Sequence, residues 1–167
     1  MPEISSFNPI VDNRSKVLIL GTMPGPESLR QNQYYANANN KFWNIIYEIF
    51  GRIPDLEYEK KVIFLLNRRI ALWDVLDSCS REGALDANIT NGKPNNFLNF
   101  FEKYSNIEYV FFNGTSAYKL FKKYSKQDFN NIRKYIILPS TSPTPGRYVK
   151  PYKIKLSEWI TLLEYMN

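Results

Sequence analysis

The sequence predicts an α/β protein, a three-layer α/β/α sandwich around a central four-stranded parallel sheet. Three observations predict it. Four short apolar runs recur along the chain, at residues 17–20, 70–76, 108–112 and 135–138, each about the length of a buried strand. Each run is followed by a segment with apolar residues at helical spacing. No repeat, low-complexity tract or linker interrupts the 167 residues, a length that suits one domain with a sizeable core. Strands that alternate with helices form parallel sheets covered on both faces, and their crossovers are right-handed. A single domain over residues 1–167 is the expectation.

Taken in order, Val17-Leu18-Ile19-Leu20 is the first strand, broken at Gly21 and followed by the turn Pro24-Gly25-Pro26. Some twenty residues rich in Asn, Tyr and Gly intervene before a helix from about Lys41, whose apolar face is Phe42, Trp43, Ile45, Ile46, Ile49 and Phe50. Gly51 suits its C-terminal end. A second helix is expected over residues 56–67, with Val62, Ile63, Leu65 and Leu66 facing the core. Residues 70–76 form the second strand, leading into the polar stretch Asp77-Ser78-Cys79-Ser80-Arg81-Glu82-Gly83. Asn91-Gly92-Lys93-Pro94-Asn95 reads as a turn. Phe97, Leu98, Phe100, Phe101 and Tyr104 mark a helix, residues 108–112 the third strand, and Thr115 a candidate N-cap for a helix over residues 116–124. Residues 135–138 are the fourth strand, and residues 152–165 a closing helix. Loops should gather at one sheet edge, at residues 21–41, 74–90, 113–115 and 139–149. In open α/β sheets the crevice beyond the carboxyl ends of the strands binds ligands, and a long loop there is more often functional than filler.

Composition narrows the chemistry. The chain has one cysteine, Cys79, and no histidine. An internal disulfide, a Cys/His zinc site and any mechanism with an imidazole base are therefore excluded by counting. No carboxylate cluster has metal-ligand spacing, so cofactor-free chemistry without a metal is expected. A net charge of +6 is compatible with a polyanionic partner, because neutralising phosphates releases counterions. Twelve Tyr and eleven Phe can fill cores or stack on bases. No apolar run approaches the roughly 18–20 residues that span a bilayer, and the N-terminus lacks the basic and apolar regions of a secretory signal. A cytoplasmic protein with no membrane partner is expected.

Two glycine motifs can be set aside. Gly21-Thr22-Met23-Pro24-Gly25 lacks the third glycine of a dinucleotide loop and the Gly-Lys-Ser/Thr of a P-loop, and its proline removes a backbone donor. More informative are four loops that carry distinct groups of residues. The first holds Gly21-Thr22-Met23-Pro24-Gly25, Tyr34-Tyr35-Ala36 and Asn40-Lys41-Phe42-Trp43; the second holds Leu72-Trp73-Asp74-Val75. Phe112-Asn113-Gly114 and Leu138-Pro139-Ser140-Thr141-Ser142-Pro143 make up the third and fourth. In these residues, over about 16–148, the sequence resembles the uracil-DNA glycosylase superfamily, nearest to its hypoxanthine-DNA glycosylase branch. Several motifs occur in the expected order, which is more specific than any one alone. The segment before Asn40 departs from the branch: Asn37-Ala38-Asn39 stands where His-Pro-Arg is usual.

The resemblance implies a uracil-DNA glycosylase-like fold and a monofunctional DNA glycosylase of base-excision repair. Such an enzyme acts on DNA containing a deaminated base, hypoxanthine or else uracil or xanthine, and one protomer suffices. A glycosylase flips its target into a close pocket, where Tyr35 and Phe42 can stack on it at about 1–3 kcal/mol per base. By resemblance Asn40 orients the attacking water; read from the residues alone, it is an N-cap for the helix near Phe42. Asp74 ends a strand at the position of a base-edge reader, accepting as a carboxylate or donating if burial raises its pKa. A capping Asp is the competing reading. Thr22 and Met23 offer backbone groups to the base, and Asn113 joins them in the base-binding set. Ser140, Thr141, Ser142 and Pro143 resemble a loop pressed into the minor groove, with Arg147 beyond it and Lys150, Lys153 and Lys155 as a basic rim. Trp43 reads as core, and Asp86 as structural. The altered Asn37-Ala38-Asn39 segment supports an alternative, a glycosylase-like module that binds nucleic acid or a nucleotide without hydrolysis.

Overall fold

A computed structural model describes residues 2–143 and 149–166. Along the chain lie β1 (Glu3–Ser5), β2 (Val17–Gly21), α1 (Pro26–Gln31), α2 (Phe42–Glu48), α3 (Tyr58–Asn67), β3 (Ile70–Asp74) and β4 (Leu76–Ser80). They are followed by β5 (Thr90–Pro94), α4 (Phe97–Lys103), β6 (Tyr109–Asn113), α5 (Thr115–Tyr124), β7 (Lys134–Leu138) and α6 (Tyr152–Trp159).

The expected central sheet is present: four parallel strands in the order β3-β2-β6-β7. Alternation along β2 divides the core in two. Val17 and Ile19 pack with Phe42, Ile45, Ile46, Phe64, Leu65 and Trp159 of α2, α3 and α6. Leu18 and Leu20 pack with Phe97, Phe100, Phe101, Ala117 and Phe121 of α4 and α5. This is the three-layer sandwich that a strand buried on both faces demands. The chain leaves β2 for β3 on one side and later returns to β6 on the other, so the strand order reverses at β2 and β6. A crevice at such a reversal is the usual ligand position of open α/β sheets.

Several elements differ from expectation. The apolar run 70–76 is two strands, because at Val75 the chain leaves the parallel ladder. The N–H of Val75 donates to Gly21 O at 2.9 Å and that of Leu76 to Thr22 O at 3.3 Å. β4 then joins a second, antiparallel sheet, β1-β4-β5. Its strands are polar, and β5 is the stretch Thr90-Asn91-Gly92-Lys93-Pro94 expected as a turn. Asn91 has φ 53°, and the β4–β5 register shifts around it, an irregularity that antiparallel pairs tolerate. The first loop contains a helix, α1, with Pro26 at its first position, where a missing N–H costs nothing. In α3, Ile63 is exposed while Phe64 and Leu65 are buried; Ile63 falls outside the i, i+3, i+4 stripe of Val62, Leu65 and Leu66. Thr115 is the first residue of α5, and Gly114 takes the cap position with φ +97°. A Cβ there would come within 2.9 Å of Ser140 Cβ, so glycine lets two site loops meet. The closing helix ends at Trp159 and continues as a tighter 3₁₀ turn over Ile160–Tyr165.

Among the described residues, no helix is long and apolar enough to cross a membrane, and no group of three His, Cys, Asp or Glu could hold a metal ion.

Candidate active site

A cavity of about 780 Å³ opens over the carboxyl ends of β2, β3, β6 and β7, within the usual range for ligand sites. Gly21, Asp74 and Asn113 end three of these strands and line it, with Gly21 paired to Asp74 across the ladder. Asp74 is 4% exposed, and its Oδ2 has no hydrogen-bond partner among the described residues. The backbone there is fixed by Asn95 Nδ2, which donates to Asp74 O at 2.7 Å. Burial pushes the Asp74 carboxyl up to about 7; the nearby Asp86 charge adds to this and Arg81 opposes it. An unpartnered buried carboxyl oxygen, in a residue that lines a cavity, is costly and is resolved by a proton or a ligand N–H.

The first loop reaches the cavity as a pinned strap. Trp43 Nε1 donates to Tyr34 O at 3.0 Å, and the Tyr34 hydroxyl donates to Asn8 O at 2.8 Å. Ala36 N–H donates to Ser28 Oγ at 3.1 Å. Tyr35, with φ 54°, lies in a conformation rare for a bulky residue. Its ring stacks on Phe42 at 4.2 Å between centroids, and its hydroxyl accepts from Asn113 Nδ2 at 3.0 Å. Asn113 Nδ2 also donates to Thr141 Oγ1 at 3.0 Å, and its Oδ1 accepts from Thr141 N–H at 2.9 Å. One amide thus ties the first loop to the fourth. Asn40 lines the cavity beside this latch, because Lys41 N–H donates to Thr141 O at 3.1 Å. Its Oδ1 accepts the Phe42 N–H at 2.9 Å, so it satisfies the first N–H of α2 from just outside the helix, whose N-cap is Lys41. The second oxygen lone pair and the amide NH₂ make no bond among the described residues.

A family model described as the uracil DNA glycosylase superfamily matches residues 9–160. The chain belongs to that superfamily. Among its relatives, a Methanosarcina acetivorans protein named hypoxanthine DNA glycosylase is 34% identical over 154 residues, which are 92% of this chain and 93% of that one. A Methanosarcina barkeri protein of the same name is 35% identical over 112 residues, 66% of this chain and 71% of the other. The solution NMR structure of a Methanosarcina acetivorans protein described as a candidate uracil DNA glycosylase superposes with a TM-score of 0.81 at 32% identity, covering 99% of both chains.

Within this superfamily fold the expected site residues are distributed as follows. Thr22, Met23, Tyr35, Asn40, Asp74, Asn113, Ser140, Thr141, Ser142 and Pro143 all line the cavity. The N–H groups of Thr22 and Met23 make no hydrogen bond among the described residues, which leaves both for a ligand. Phe42 is a correction. It is fully buried between Tyr35, Trp43 and Trp159 and takes no part in the cavity wall, because the first turn of α2 faces the core. Tyr35 covers it and presents the aromatic surface. Asn113 reaches the cavity, but with its amide committed to Tyr35 and Thr141 it holds loops together rather than offering free donors. Trp43 is core, as expected. Arg147 lies outside the described residues.

Three residues gain parts that sequence reasoning missed. Asp86 lines the cavity and accepts from Thr22 Oγ1 at 2.9 Å. Arg81, buried at 6% exposure, donates from Nη2 to Pro24 O at 2.7 Å and from Nε to Gly83 O at 3.0 Å. It fastens the first loop to the second. Lys155, expected on a solvated rim, is 8% exposed and lines the cavity. Nothing in the spacing of Arg81 or Lys155 signals burial; Asp86 lay in a segment already resembling the family.

Proposed function

We propose that this protein is a monofunctional DNA glycosylase that hydrolyses the N-glycosidic bond of a deaminated base, hypoxanthine before uracil or xanthine. The observation that carries the reading is the buried Asp74 carboxyl, with an oxygen unpartnered, at the floor of a cavity walled by Asn40 and Tyr35. The relatives named hypoxanthine DNA glycosylase support the choice of base.

The chemistry follows from the groups available. A flipped nucleotide enters the cavity, and its base lies against Tyr35. Cleavage builds positive charge on the sugar and negative charge on the departing base. The N–H groups of Thr22 and Met23, and a protonated Asp74, donate to that base where its charge develops. Asn40 holds a water through its remaining oxygen lone pair. An amide is a weak base, but a sugar cation already loosened from its base needs position more than basicity. Hydrolysis consumes only water, and none of these roles calls on an imidazole or a thiol. All the groups named come from one chain, so a monomer can act alone. DNA as the substrate accords with a cytoplasmic location.

Duplex oligonucleotides carrying a single deoxyinosine, deoxyuridine or deoxyxanthosine, treated with protein and then alkali, test the reading. Strand cleavage at deoxyinosine is expected, and no cleavage on any of the three overturns it. A second reading, a binding module without hydrolysis, draws on the bond from Phe42 N–H to Asn40 Oδ1. Steeply salt-dependent DNA binding with no base release would identify that module.

Gly21 supplies a further check. A Cβ at this position would stand 2.6 Å from Asp74 Oδ1 and 2.9 Å from Tyr35 Oη, so alanine must displace both. Gly21→Ala is expected to lower base release by about tenfold or more, as small misplacements of catalytic groups do. Single-turnover assays on deoxyinosine DNA measure it, and an unchanged rate would count against Asp74 and Tyr35 as base contacts.

A further inference from the structure

The cavity has two ends with different chemistry. At the sheet end lie the acidic and amide groups already described. At the other, near α6, lie Lys150, Lys155 and Glu158. Lys150 is paired, with its Nζ 2.7 and 2.9 Å from the two Glu158 oxygens. Lys155 is different. It is more than nine-tenths buried, lines the cavity, and makes no side-chain hydrogen bond or ion pair among the described residues. Burial lowers its pKa, as expected for a cation with no counter-charge.

Its place is fixed by its own helix. Trp159, one turn on and on the same face, is fully buried against Phe42 and donates from Nε1 to Pro139 O at 2.9 Å. The Tyr152 hydroxyl donates to Glu48, anchoring the start of α6 to α2. Trp159 ties α6 to the loop Pro139-Ser140-Thr141. There Ser140 Oγ accepts the Ser142 N–H at 3.1 Å, and the Ser140 O–H remains to donate. Lys155 and Ser140 both line the cavity, and the Glu158 carboxylate is taken up by Lys150.

The geometry points to Lys155 as the contact for one DNA phosphate adjacent to the flipped nucleotide, on the strand that carries it. A phosphate fits what is missing, a compact anion for a buried point charge. Because Lys155 is partly desolvated, the contact is stronger than one from an exposed rim lysine. Holding that phosphate fixes the sugar over the cavity and so positions C1′ against Asn40. This assignment rests on the glycosylase reading for the identity of the anion.

Methylphosphonate scanning tests it. Duplexes with one deoxyinosine carry a single neutral methylphosphonate at each flanking position in turn, and binding and single-turnover base release are measured for wild type and Lys155→Met. Wild type should lose affinity on the order of tenfold at one position. Lys155→Met should lose a similar factor on unmodified DNA and be indifferent to substitution at that position. Its log affinity against log salt should also be shallower by about one unit. Melting temperature reports folding, and methionine, which fills the volume without a charge, should leave it unchanged or raise it. If that variant fails to fold, Lys155→Gln is read instead.

Equal sensitivity of variant and wild type at every flanking position overturns the assignment. So does a covalent protein–DNA adduct through Lys155 on borohydride treatment, which would make it a nucleophile. Failure of wild type to release hypoxanthine from unmodified DNA overturns the glycosylase reading instead, and the binding scan still reads the phosphate contact.

Discussion

Asn40→Ala is expected to slow hypoxanthine release by roughly 10²–10⁴-fold, the range for a group that manages the attacking water. The side chain has two duties that the variant removes together. Its Oδ1 accepts the first N–H of α2, that of Phe42, and loss of such a bond costs on the order of 1 kcal/mol. A modest fall in melting temperature should therefore accompany the loss of rate. Asn40→Ser separates the two, because a hydroxyl can still accept the Phe42 N–H but cannot reach the water position. It should recover the melting temperature and not the rate. Recovery of both would return Asn40 to a purely structural role. Substrate affinity should change little in either variant, since the water is held and not the base.

The second large effect is a pH dependence centred on Asp74. Burial pushes its carboxyl from the ordinary 3.8 up to about 7 in the folded protein. Between those values the folded state holds a proton that the unfolded chain has released. Stability attributable to this group therefore falls as pH rises through that window, by up to about 1.4 kcal/mol per pH unit, and levels off above about 7. The rate should follow the proton. A neutral Asp74 donates to the departing base, whereas an ionised one repels the charge developing there. Single-turnover rates should decline above about pH 7, by up to about tenfold per unit for a single ionisation. Asp74→Asn cannot ionise and keeps an N–H donor. It should melt higher than wild type at pH 8 and show no decline between pH 7 and 9. A wild-type rate that climbs through pH 7 would instead make the carboxylate the working form.

The sheet that places these groups was legible because its strands are covered on both faces. Val17, Leu18, Ile19 and Leu20 are fully buried, and such strands read as unbroken apolar runs. β1, β4 and β5 left no such trace. Their pairing is made by backbone groups, and Thr90-Asn91-Gly92-Lys93-Pro94 has the composition of a turn. The site was legible where several groups of residues fell in sequence order along four loops, which brought Asn40, Tyr35, Asp74, Thr22 and Met23 to one cavity. Which side of a residue faces inward was not legible. Phe42 and Tyr35 are both aromatic and close in sequence, yet a left-handed backbone at Tyr35 turns one ring over the other. Lys155 shares its neighbourhood with Lys150 and Lys153, and only the packing of Trp159 shows that it is covered.

The latch made by Asn113 bears on where selectivity arises. Because one buried amide spans Tyr35 and Thr141, the recognition walls are locked when the chain folds, before any DNA arrives. The entropy of arranging them is spent at that stage and is not drawn from the encounter. The duplex must then do the deforming. A nucleotide weakly held in its helix is extruded at least cost, so a mismatched or damaged pair is favoured before its base is ever read. On this scheme discrimination begins in the mechanics of the nucleic acid, with the pre-joined pocket acting as a gauge.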